Sequence, residues 1–250
     1  MKKKIVVIWG VLFVLGAVFV SFKYFRGSET PADKADTQDQ YKNMADSIVS
    51  EDSLHIPAQE GEISEENRQL AASLKKTTGM EYNPLNITTI GKPIRTGEFS
   101  YQINAWSMSK EYPGYPVPGG QESLEERTGA QLDEAGNIIN DYSYVVVNME
   151  VENMTSNDIK YLIWGIFQLK SIGSGTGQYC GEVLYLGDNR PMGKDYYLDT
   201  IEANSKKEMP MIFVVKDEYV NDNQLYIEVN PSGVATNDPD YDVKRYIFLD

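Results

Sequence analysis

The most regular alternation of apolar and polar residues lies in the sequence YVVVNMEVEN, residues 144–153. Four apolar side chains fall on one side of an extended chain and three polar ones on the other: Val145, Val147, Met149 and Val151 against Asn148, Glu150 and Glu152. A period of two is that of a β-strand, because successive side chains point to opposite faces. The segment therefore predicts an antiparallel strand with one buried and one wet face.

Further strand-like segments follow one another between residue 85 and the C-terminus. We predict strands in LNITTI, FSYQINAW, IKYLIWGIFQLK, EVLYL, EMPMIFVV, QLYIEV and VKRYIFL. FSYQINAW places four side chains on one side: Phe99, Tyr101, Ile103 and Ala105. IKYLIWGIFQLK is expected to pair with the strand at 144–153, with Gly165 as a bulge, and Pro210 fits only at a strand start, an edge or a bulge. About eight strands in roughly 170 residues favour an all-β, antiparallel β-sandwich of the immunoglobulin-like type over residues 81–250.

An uncharged apolar run of 18 residues, Ile5 to Phe22, follows a basic N-terminus. As a helix rising about 1.5 Å per residue it measures roughly 27 Å, close to the hydrocarbon thickness of a bilayer. A cleaved signal peptide also begins with basic residues, but its apolar core is usually only about 7 to 15 residues long. We therefore predict an uncleaved transmembrane signal anchor at 5–22. The excess of positive charge before the run predicts cytoplasmic residues 1–4 and an extracellular C-terminal domain.

Residues 23–80 are predicted to form an acidic stalk between the anchor and the sandwich. Most of this segment has few large apolar residues and cannot bury enough surface to offset its chain entropy. One short helix is predicted within it at 64–76, with Ser64 as its N-cap. Leu70 and Leu74 lie on one face at a spacing of four, which indicates that the helix packs against another element.

Net charge excludes one class of partner. The chain carries −14, and because residues 1–26 hold five basic and no acidic groups, the remainder carries −19. A field of that sign repels nucleic acid and anionic lipid surfaces, so the sequence predicts no nucleic-acid partner.

Candidate catalytic residues are absent from the predicted sandwich. The single histidine, His55, lies in the predicted stalk, so a triad or pair that needs an imidazole has no place in the sandwich. The single cysteine, Cys180, cannot form an internal disulfide and is expected to be a small buried apolar residue. The sequence therefore predicts no catalytic residue and no cofactor.

One acidic turn, NDPDYD, is a candidate cation site. In an extended segment Asp238, Asp240 and Asp242 project to the same side, as oxygen ligands of Ca²⁺ do. The EF-hand pattern fails here, because Val243 stands where Gly is needed and Leu249 where the bidentate Glu belongs. The other interpretation is a solvated acidic turn.

Tyrosine is abundant and clusters in segments rich in turn-forming residues. There are 17 tyrosines, several of them in YPGYP and KDYY. Because Tyr offers contact area with a polar tip at low entropy cost, Tyr112, Tyr115, Tyr196 and Tyr197 are candidates for a binding surface. Ordinary packing of tyrosines on strands is the other interpretation. The long loop from Tyr112 to Asn137 is expected to be either mobile or functional.

Three segments together resemble a known family: GKPIRTGEFSYQINAW, YVVVNMEVENMTSNDIKY and IEANSKKEMPMIFVVKDEY. They are similar to the immunoglobulin-like ectodomains of unknown function on bacterial, mainly Gram-positive, cell surfaces, over roughly residues 85–229. The resemblance implies a sandwich and supplies no catalytic residue. Many relatives are lipoproteins, whereas this chain has no cysteine after its apolar run, so the resemblance implies anchoring by the helix.

Taken together, these patterns predict a single-pass membrane protein with a non-catalytic binding module outside the cell, whose partner is a protein or an envelope glycan. Two other functions remain open. The first is a carboxylate-dependent hydrolase of envelope glycans, which requires two acids about 5 to 10 Å apart in a concave site. The second is a calcium-dependent adhesion or sensor module that uses the aspartates of NDPDYD.

Overall fold

The computed structural model describes residues 63–249, except 164, 173–176, 189, 192, 194, 222–223 and 232–243. The predicted cytoplasmic start, the membrane anchor at 5–22 and the stalk up to residue 62 lie outside the described residues. Within the described ranges, no helix is long and apolar enough to cross a membrane.

The helix predicted near residue 64 is present as α1 (Glu65–Thr78). The hydroxyl of Ser64 accepts a hydrogen bond from the amide of Asn67 at 3.1 Å, so Ser64 is the N-cap, as predicted. Gly79 ends the helix in the left-handed conformation, with a φ of 74° that glycine adopts without strain. Local sequence signals thus define both ends of α1.

Helix α1 packs on a sheet, as the spacing of Leu70 and Leu74 predicted. Leu74 is buried in a cluster with four residues from four segments of the chain: Ile87, Ile172, Tyr226 and Phe248. Because burial of this face removes apolar surface from water, α1 is part of the folded domain. The predicted boundary at residue 81, which left the helix in the stalk, is therefore corrected to a position before α1.

Twelve strands and two further helices follow α1 in the described residues. In chain order they are β1 (Ile87–Thr89), β2 (Ile94–Thr96), β3 (Phe99–Ser109), α2 (Gly120–Thr128), β4 (Tyr142–Asn153), β5 (Ile159–Leu162), β6 (Phe167–Ile172), β7 (Gly177–Glu182), β8 (Tyr185–Leu186), β9 (Leu198–Ile201), β10 (Lys206–Lys216), α3 (Asp217–Val220), β11 (Gln224–Val229) and β12 (Arg245–Phe248).

The strands form two five-stranded sheets and one small sheet. The first sheet has the order β1-β12-β11-β6-β7, the second has the order β2-β3-β4-β10-β8, and β5 pairs with β9 alone. Strand β1 runs parallel to β12, whereas the other described pairs are antiparallel.

The inner faces of the two large sheets meet in one apolar core. The alternation predicted for 144–153 is confirmed, because Val145, Val147, Met149 and Val151 are all fully buried. Across the core, the rings of Tyr101 on β3 and Phe167 on β6 lie 5.8 Å apart at 75°. The domain is therefore a β-sandwich.

The strand predicted over IKYLIWGIFQLK is corrected to two strands in different sheets. Gly165 has a φ of 80° and separates β5 from β6. Strand β5 pairs with β9 and β6 with β7 and β11, while the partners of β4 are β3 and β10. A glycine at positive φ turns the chain, so one apolar run supplies strands to two sheets.

The predicted alternation in FSYQINAW fails at its last position. The pairing of β3 with β4 shifts between Ile103 and Ala105, which is a β-bulge. One extra residue reverses the faces beyond it, so Ala105 is exposed and Trp106 packs against the core.

Pro210 lies inside β10, and its missing N–H falls on the side of β8, just past the end of the β8 ladder. The Pro210 carbonyl accepts from the amide of Gly187 at 2.8 Å, on the side of β8. The nitrogen of an antiparallel strand residue faces the same side as its carbonyl, and β8 pairs only Tyr185 and Leu186 with β10. Pro210 thus sits at an effective edge, in agreement with the sequence prediction.

The long loop predicted from Tyr112 to Asn137 is an ordered cover over part of the second sheet. We call residues 110–141, between β3 and β4, the insert. It contains α2 and buries Leu124, Ala130 and Ile138. Beneath it lies the outer face of β4, where the Tyr144 hydroxyl donates to the carbonyl of Gly136 at 2.8 Å. The wet face predicted for β4 is therefore confined to the half that contains Asn148.

Candidate functional site

A groove of about 480 Å³ lies beside β9 and β10. Strand β9 supplies Leu198 and Asp199, β10 supplies Lys207, and the segment between β8 and β9 supplies the rest. We call this site the Arg190 groove, and its lining residues are Asp188, Arg190, Pro191, Gly193, Asp195, Tyr196, Leu198, Asp199 and Lys207. Its size lies in the range of ligand pockets, about 300 to 1,000 Å³.

The guanidinium of Arg190 organises one wall of the groove. Its Nε donates to both oxygens of Asp188 at 2.8 and 2.9 Å. Its Nη2 donates to Asp188 and, at 2.8 Å, to Asp199. Its Nη1 reaches the carbonyls of Tyr196 and Leu198 at 3.2 and 3.4 Å. A guanidinium has five N–H donors, and all five have acceptors here, so Arg190 fixes the wall and offers no donor to a ligand.

Both carboxylates on this wall are paired with basic side chains. Burial opposes the ionisation of Asp188, but its hydrogen bonds and charge pairing with Arg190 outweigh burial and lower the pKa of Asp188 below its ordinary value. Asp199 accepts from Lys207 Nζ at 2.6 Å as well as from Arg190. Two cations therefore balance the charges of Asp188 and Asp199.

Adjacent lysines on β10 point to different surroundings. Lys207 reaches into the groove toward Asp199, and 39% of its side chain is exposed. Lys206 instead pairs with Glu150 on β4 at 2.8 Å, outside the groove. Successive side chains of a strand point to opposite faces, which is why only Lys207 lies in the groove. Substitutions of Lys206 can therefore serve as controls for substitutions of Lys207.

The lowered pKa of Asp188 bears on whether this carboxyl could donate a proton in the groove. A glycosidase needs one carboxylic acid that stays protonated to donate to the leaving group. Asp188 instead favours the ionised form, since Arg190 lowers its pKa. What the groove offers is one lysine ammonium, the exposed carboxylate of Asp195 and the side of Leu198.

Two of the predicted binding tyrosines, Tyr112 and Tyr115, lie in the insert and are half-buried. The Tyr112 hydroxyl donates to the carbonyl of Tyr115. The ring of Tyr115 lies where a Cβ on Gly187 would be 2.9 Å from its Cε2 atom, so the glycine makes room for the ring. Both tyrosines help to seat the insert on the sheet.

The other two, Tyr196 and Tyr197, lie beside the groove with their rings 5.0 Å apart. Tyr196 is only 6% exposed, and its hydroxyl accepts from the amide of Leu186 at 2.9 Å. Tyr197 is half-buried and donates to the carbonyl of Leu184 at 2.6 Å. The structure thus places the four tyrosines at two locations with their hydroxyls turned inward or to the backbone, and their role in binding stays a prediction.

The predicted cation ligands Asp238, Asp240 and Asp242 lie outside the described residues. In the part that the structure describes, no group of three or more His, Cys, Asp or Glu residues is arranged to hold a metal ion.

Cys180, on β7, is half-buried, and its thiol donates to the hydroxyl of Ser171 at 3.4 Å. Burial raises the pKa of this thiol, which outweighs the opposing effect of Ser171. A raised pKa disfavours the reactive thiolate, which agrees with a packing role.

Sequence reasoning missed the central groups of the groove, namely Asp188, Arg190, Asp199 and Lys207. They come from three segments, and only the spacing of Asp188 and Arg190, two residues apart in an irregular stretch, is a local signal. An acid and a base at that spacing occur often by chance, so this local signal was too weak to select them.

No protein-family model and no curated protein matches the chain. Several solved structures are similar in part. The yjhA protein from Bacillus subtilis is 14% identical with a TM-score of 0.39, and the match covers 65% of this chain and 99% of that one. An uncharacterised beta-sandwich protein from Clostridium difficile 630 is 11% identical with a TM-score of 0.38, covering 66% and 94%. A conserved hypothetical protein from Bacillus anthracis is 11% identical with a TM-score of 0.33, covering 56% and 87%. With TM-scores below 0.5, the description of the fold depends on the strand order and packing of this chain alone.

Proposed function

We propose that this protein is a non-catalytic binding module, held at the outer surface of a cell by a membrane anchor at 5–22, which binds an envelope glycan in the Arg190 groove. The module is an immunoglobulin-like sandwich of the type that Gram-positive bacteria display on their surfaces.

Strand order supports the immunoglobulin-like assignment. Such domains have one sheet of strands A, B, E and D and another that contains C, F and G. In the present chain β3-β4-β10-β8 corresponds to A-B-E-D, and β12-β11-β6 corresponds to G-F-C. The correspondence preserves chain order throughout.

The observation that carries the function is the complete internal use of the Arg190 donors. A catalytic or anion-binding arginine keeps donors for its substrate, whereas Arg190 donates to Asp188, Asp199 and two backbone carbonyls. The wall is therefore ordered before any ligand arrives. A preorganised wall reduces the entropy that binding must overcome.

The remaining groups match a hydroxyl-rich ligand. Lys207 donates to Asp199 and is 39% exposed, so its ammonium can also reach a hydroxyl oxygen. The exposed Asp195 carboxylate accepts from hydroxyl groups, and Leu198 offers an apolar patch to the C–H face of a sugar ring. Glycans present both kinds of surface.

The test is a binding titration of the full-length chain in detergent with soluble cell-wall glycan fragments, followed by calorimetry and thermal unfolding. At 100 times its dissociation constant a ligand adds about 2.7 kcal/mol, which raises the Tm by roughly 5 to 10 °C for a domain of this size. Lys207→Gln is expected to weaken binding at least tenfold, and Lys206→Gln, its neighbour outside the groove, is expected to leave binding unchanged.

Three results would contradict the proposal. Equal weakening by the two lysine variants would place binding outside the groove, and an unchanged Tm with every fragment would remove the glycan as ligand. Release of new reducing ends from the fragments, abolished by Asp199→Asn, would show an enzyme instead.

A further inference from the structure

The second sheet has an open edge along the last part of β3. Strand β2 pairs only with residues 99–101 of β3, from Phe99 to Tyr101. The amide of Gly91 then donates to the carbonyl of Ile103 at 2.8 Å. Beyond this point, no strand among the described residues lies beside Asn104–Ser109 on the side away from β4. The open edge is thus six residues long, about 20 Å at 3.3 Å per residue.

Backbone alternation decides which groups face the opening. The carbonyl of Ile103 points outward, since it accepts from Gly91. The bulge after Ile103 adds one residue, so the outward positions that follow are Trp106, Met108 and Lys110. The bond from the amide of Ile138 to the carbonyl of Lys110, at 2.8 Å, agrees with this alternation. Trp106 and Met108 therefore present their N–H and C=O groups to the open side.

The open edge lacks most of the protection that edge strands usually carry. Natural edges are blunted by charged residues, proline, bulges or short length. The segment NAWSMS has neither a charge nor a proline, and its bulge lies at the start. Two large apolar side chains are exposed at its far end, Met108 at 40% and Ile139 at 64%. Exposed apolar groups beside unpaired backbone groups mark a site for strand addition.

The two ends of the open edge limit the length of a segment that could pair with it. The amide of Gly91 bonds to the carbonyl of Ile103 at one end, and the amide of Ile138 bonds to the carbonyl of Lys110 at the other. The β3 edge of a second copy would bring its own Gly91 and Ile138 into the same gap, where they would collide with the first. An isolated extended segment of about five or six residues fits between the ends without that conflict.

Charge at the far end indicates the composition of the occupant. Glu111 and Asp141 flank that end in the chain, are exposed, and have no ion pair among the described contacts. The ammonium of Lys110 is engaged by Asp217 at 2.6 Å and by the carbonyl of Asn140. The full chain carries −14. A basic side chain on the incoming strand would therefore be attracted to this end.

We propose that the edge Asn104–Ser109 binds an extended, apolar and basic peptide segment of a partner protein by β-strand addition. Main-chain hydrogen bonds to Trp106 and Met108 hold the segment, Met108 and Ile139 contact its apolar side chains, and Glu111 and Asp141 attract its basic end. This site is separate from the Arg190 groove and does not depend on the function proposed for it.

The test uses the full-length chain in detergent and the blocked peptide Lys-Val-Thr-Val-Thr-Val-Lys as probe. Amide hydrogen exchange at Trp106 and Met108 is expected to slow at least tenfold when the peptide is added. A peptide of the same sequence with every backbone nitrogen methylated is expected not to bind, because it cannot donate to the edge. Replacing both lysines of the peptide by glutamate is expected to weaken binding at least tenfold.

Two variants separate the backbone from the side chain. Met108→Pro removes an N–H that makes no bond within the fold, so it is expected to abolish peptide binding while the far-UV spectrum stays native. Met108→Ala keeps the N–H and is expected to retain most of the binding. Unchanged exchange at Trp106 and Met108 in the wild-type chain, or equal binding of the methylated peptide, would overturn the proposal whatever Met108→Pro does to folding.

Discussion

The outer faces of the two sheets are both covered, the first by a helix and the second, in part, by the insert. Helix α1 covers the first sheet with apolar and aromatic contacts, in which Leu74 is buried among Ile87, Ile172 and Phe248. The insert covers part of the second sheet with contacts that include tyrosine hydroxyls. Tyr144 donates to the carbonyl of Gly136, and the hydroxyl of Tyr185, also buried, has no hydrogen-bond partner in the part of the chain that the structure describes.

These contacts indicate how firmly each cover is held on its sheet. Loss of α1 would expose apolar side chains to water, which costs about 25 cal/mol for each Å². Loss of the insert would expose tyrosines whose hydroxyls gain hydrogen bonds with water, which offsets part of the cost. We therefore expect α1 to come away only with global unfolding and the insert to open locally.

Additional bonds hold the insert at its two ends. Lys110 Nζ donates to the carbonyls of Asn140 and Tyr142 at 2.6 and 2.5 Å and to the carboxylate of Asp217. The same carboxylate accepts from the hydroxyl of Ser143 at 2.6 Å. These bonds fix the ends beside α3, so local opening is expected within the insert between them.

The largest expected effect comes from truncating the apolar anchor of each cover. Leu74→Ala should lower the free energy of unfolding by about 2 to 5 kcal/mol, because it leaves a cavity under α1. Leu124→Ala, at an equally buried position in the insert, should instead mainly speed hydrogen exchange of residues 112–138, with a smaller effect on global unfolding. Urea denaturation and amide exchange measure the two effects, and equal losses of global stability would contradict the comparison.

The next largest effect is the pH dependence of the stability of the fold that comes from Tyr144, beneath the insert. Burial, followed by the nearby Tyr112 and Asp133, raises the pKa of Tyr144 from 10.0 to about 12. The unfolded chain loses this proton near pH 10 while the folded chain keeps it, so the stability from Tyr144 is complete below about pH 10 and is lost as pH rises through 12. The loss amounts to roughly 2 to 3 kcal/mol.

Tyr144→Phe tests this directly, because phenylalanine cannot ionise. At about pH 8 the variant should be less stable than the wild type by about 1 kcal/mol, since it lacks the bond to Gly136. At about pH 11.5 the order should reverse, because only the wild type has a phenol that ionises on unfolding. A constant difference between the two proteins from pH 8 to 11.5 would show that Tyr144 ionises normally.

The smallest expected effect concerns Tyr185, which lies on β8. Tyr185→Phe removes a buried hydroxyl that has no partner within the described residues, so it is expected to raise stability by about 1 kcal/mol. Tyr161→Phe is the matched control, because its hydroxyl donates to that of Tyr101 at 3.0 Å, and this variant should lose about as much as the first gains. Equal losses in thermal unfolding would mean that Tyr185 is hydrogen-bonded in solution.

Part of the fold could be predicted because its causes are local. Ser64 and Gly79 define the ends of α1 through hydrogen bonds within one turn of each end. The spacing of four between Leu70 and Leu74 is enough to predict that one face of the helix is packed. The buried face of β4 follows from a period of two that holds from Val145 to Val151.

Other predictions failed where one residue changes the geometry. The bulge after Ile103 turns Ala105 outward, and the positive φ of Gly165 divides one apolar run between β5 and β6. Neither event has a strong sequence signal, because a bulge and a straight strand have the same composition and glycine also occurs within strands. Strand β5 pairs with β9, whose residues lie almost 40 positions further along the chain. The local pattern of apolar and polar residues gives no information on which distant segment a strand pairs with.

Residue types and local spacing are enough to predict the sandwich class, the ends of α1, the buried face of β4 and the absence of an imidazole from the described domain, because each depends on residue type or on spacing within a few positions. The strand order, the seating of the insert, the Arg190 groove and the open edge of β3 are visible only in the folded chain. The physical reason is that these features depend on backbone carbonyls and charges from distant segments. Arg190, for example, is satisfied by Asp188 nearby in the chain but also by Asp199 and the carbonyl of Leu198 across a turn.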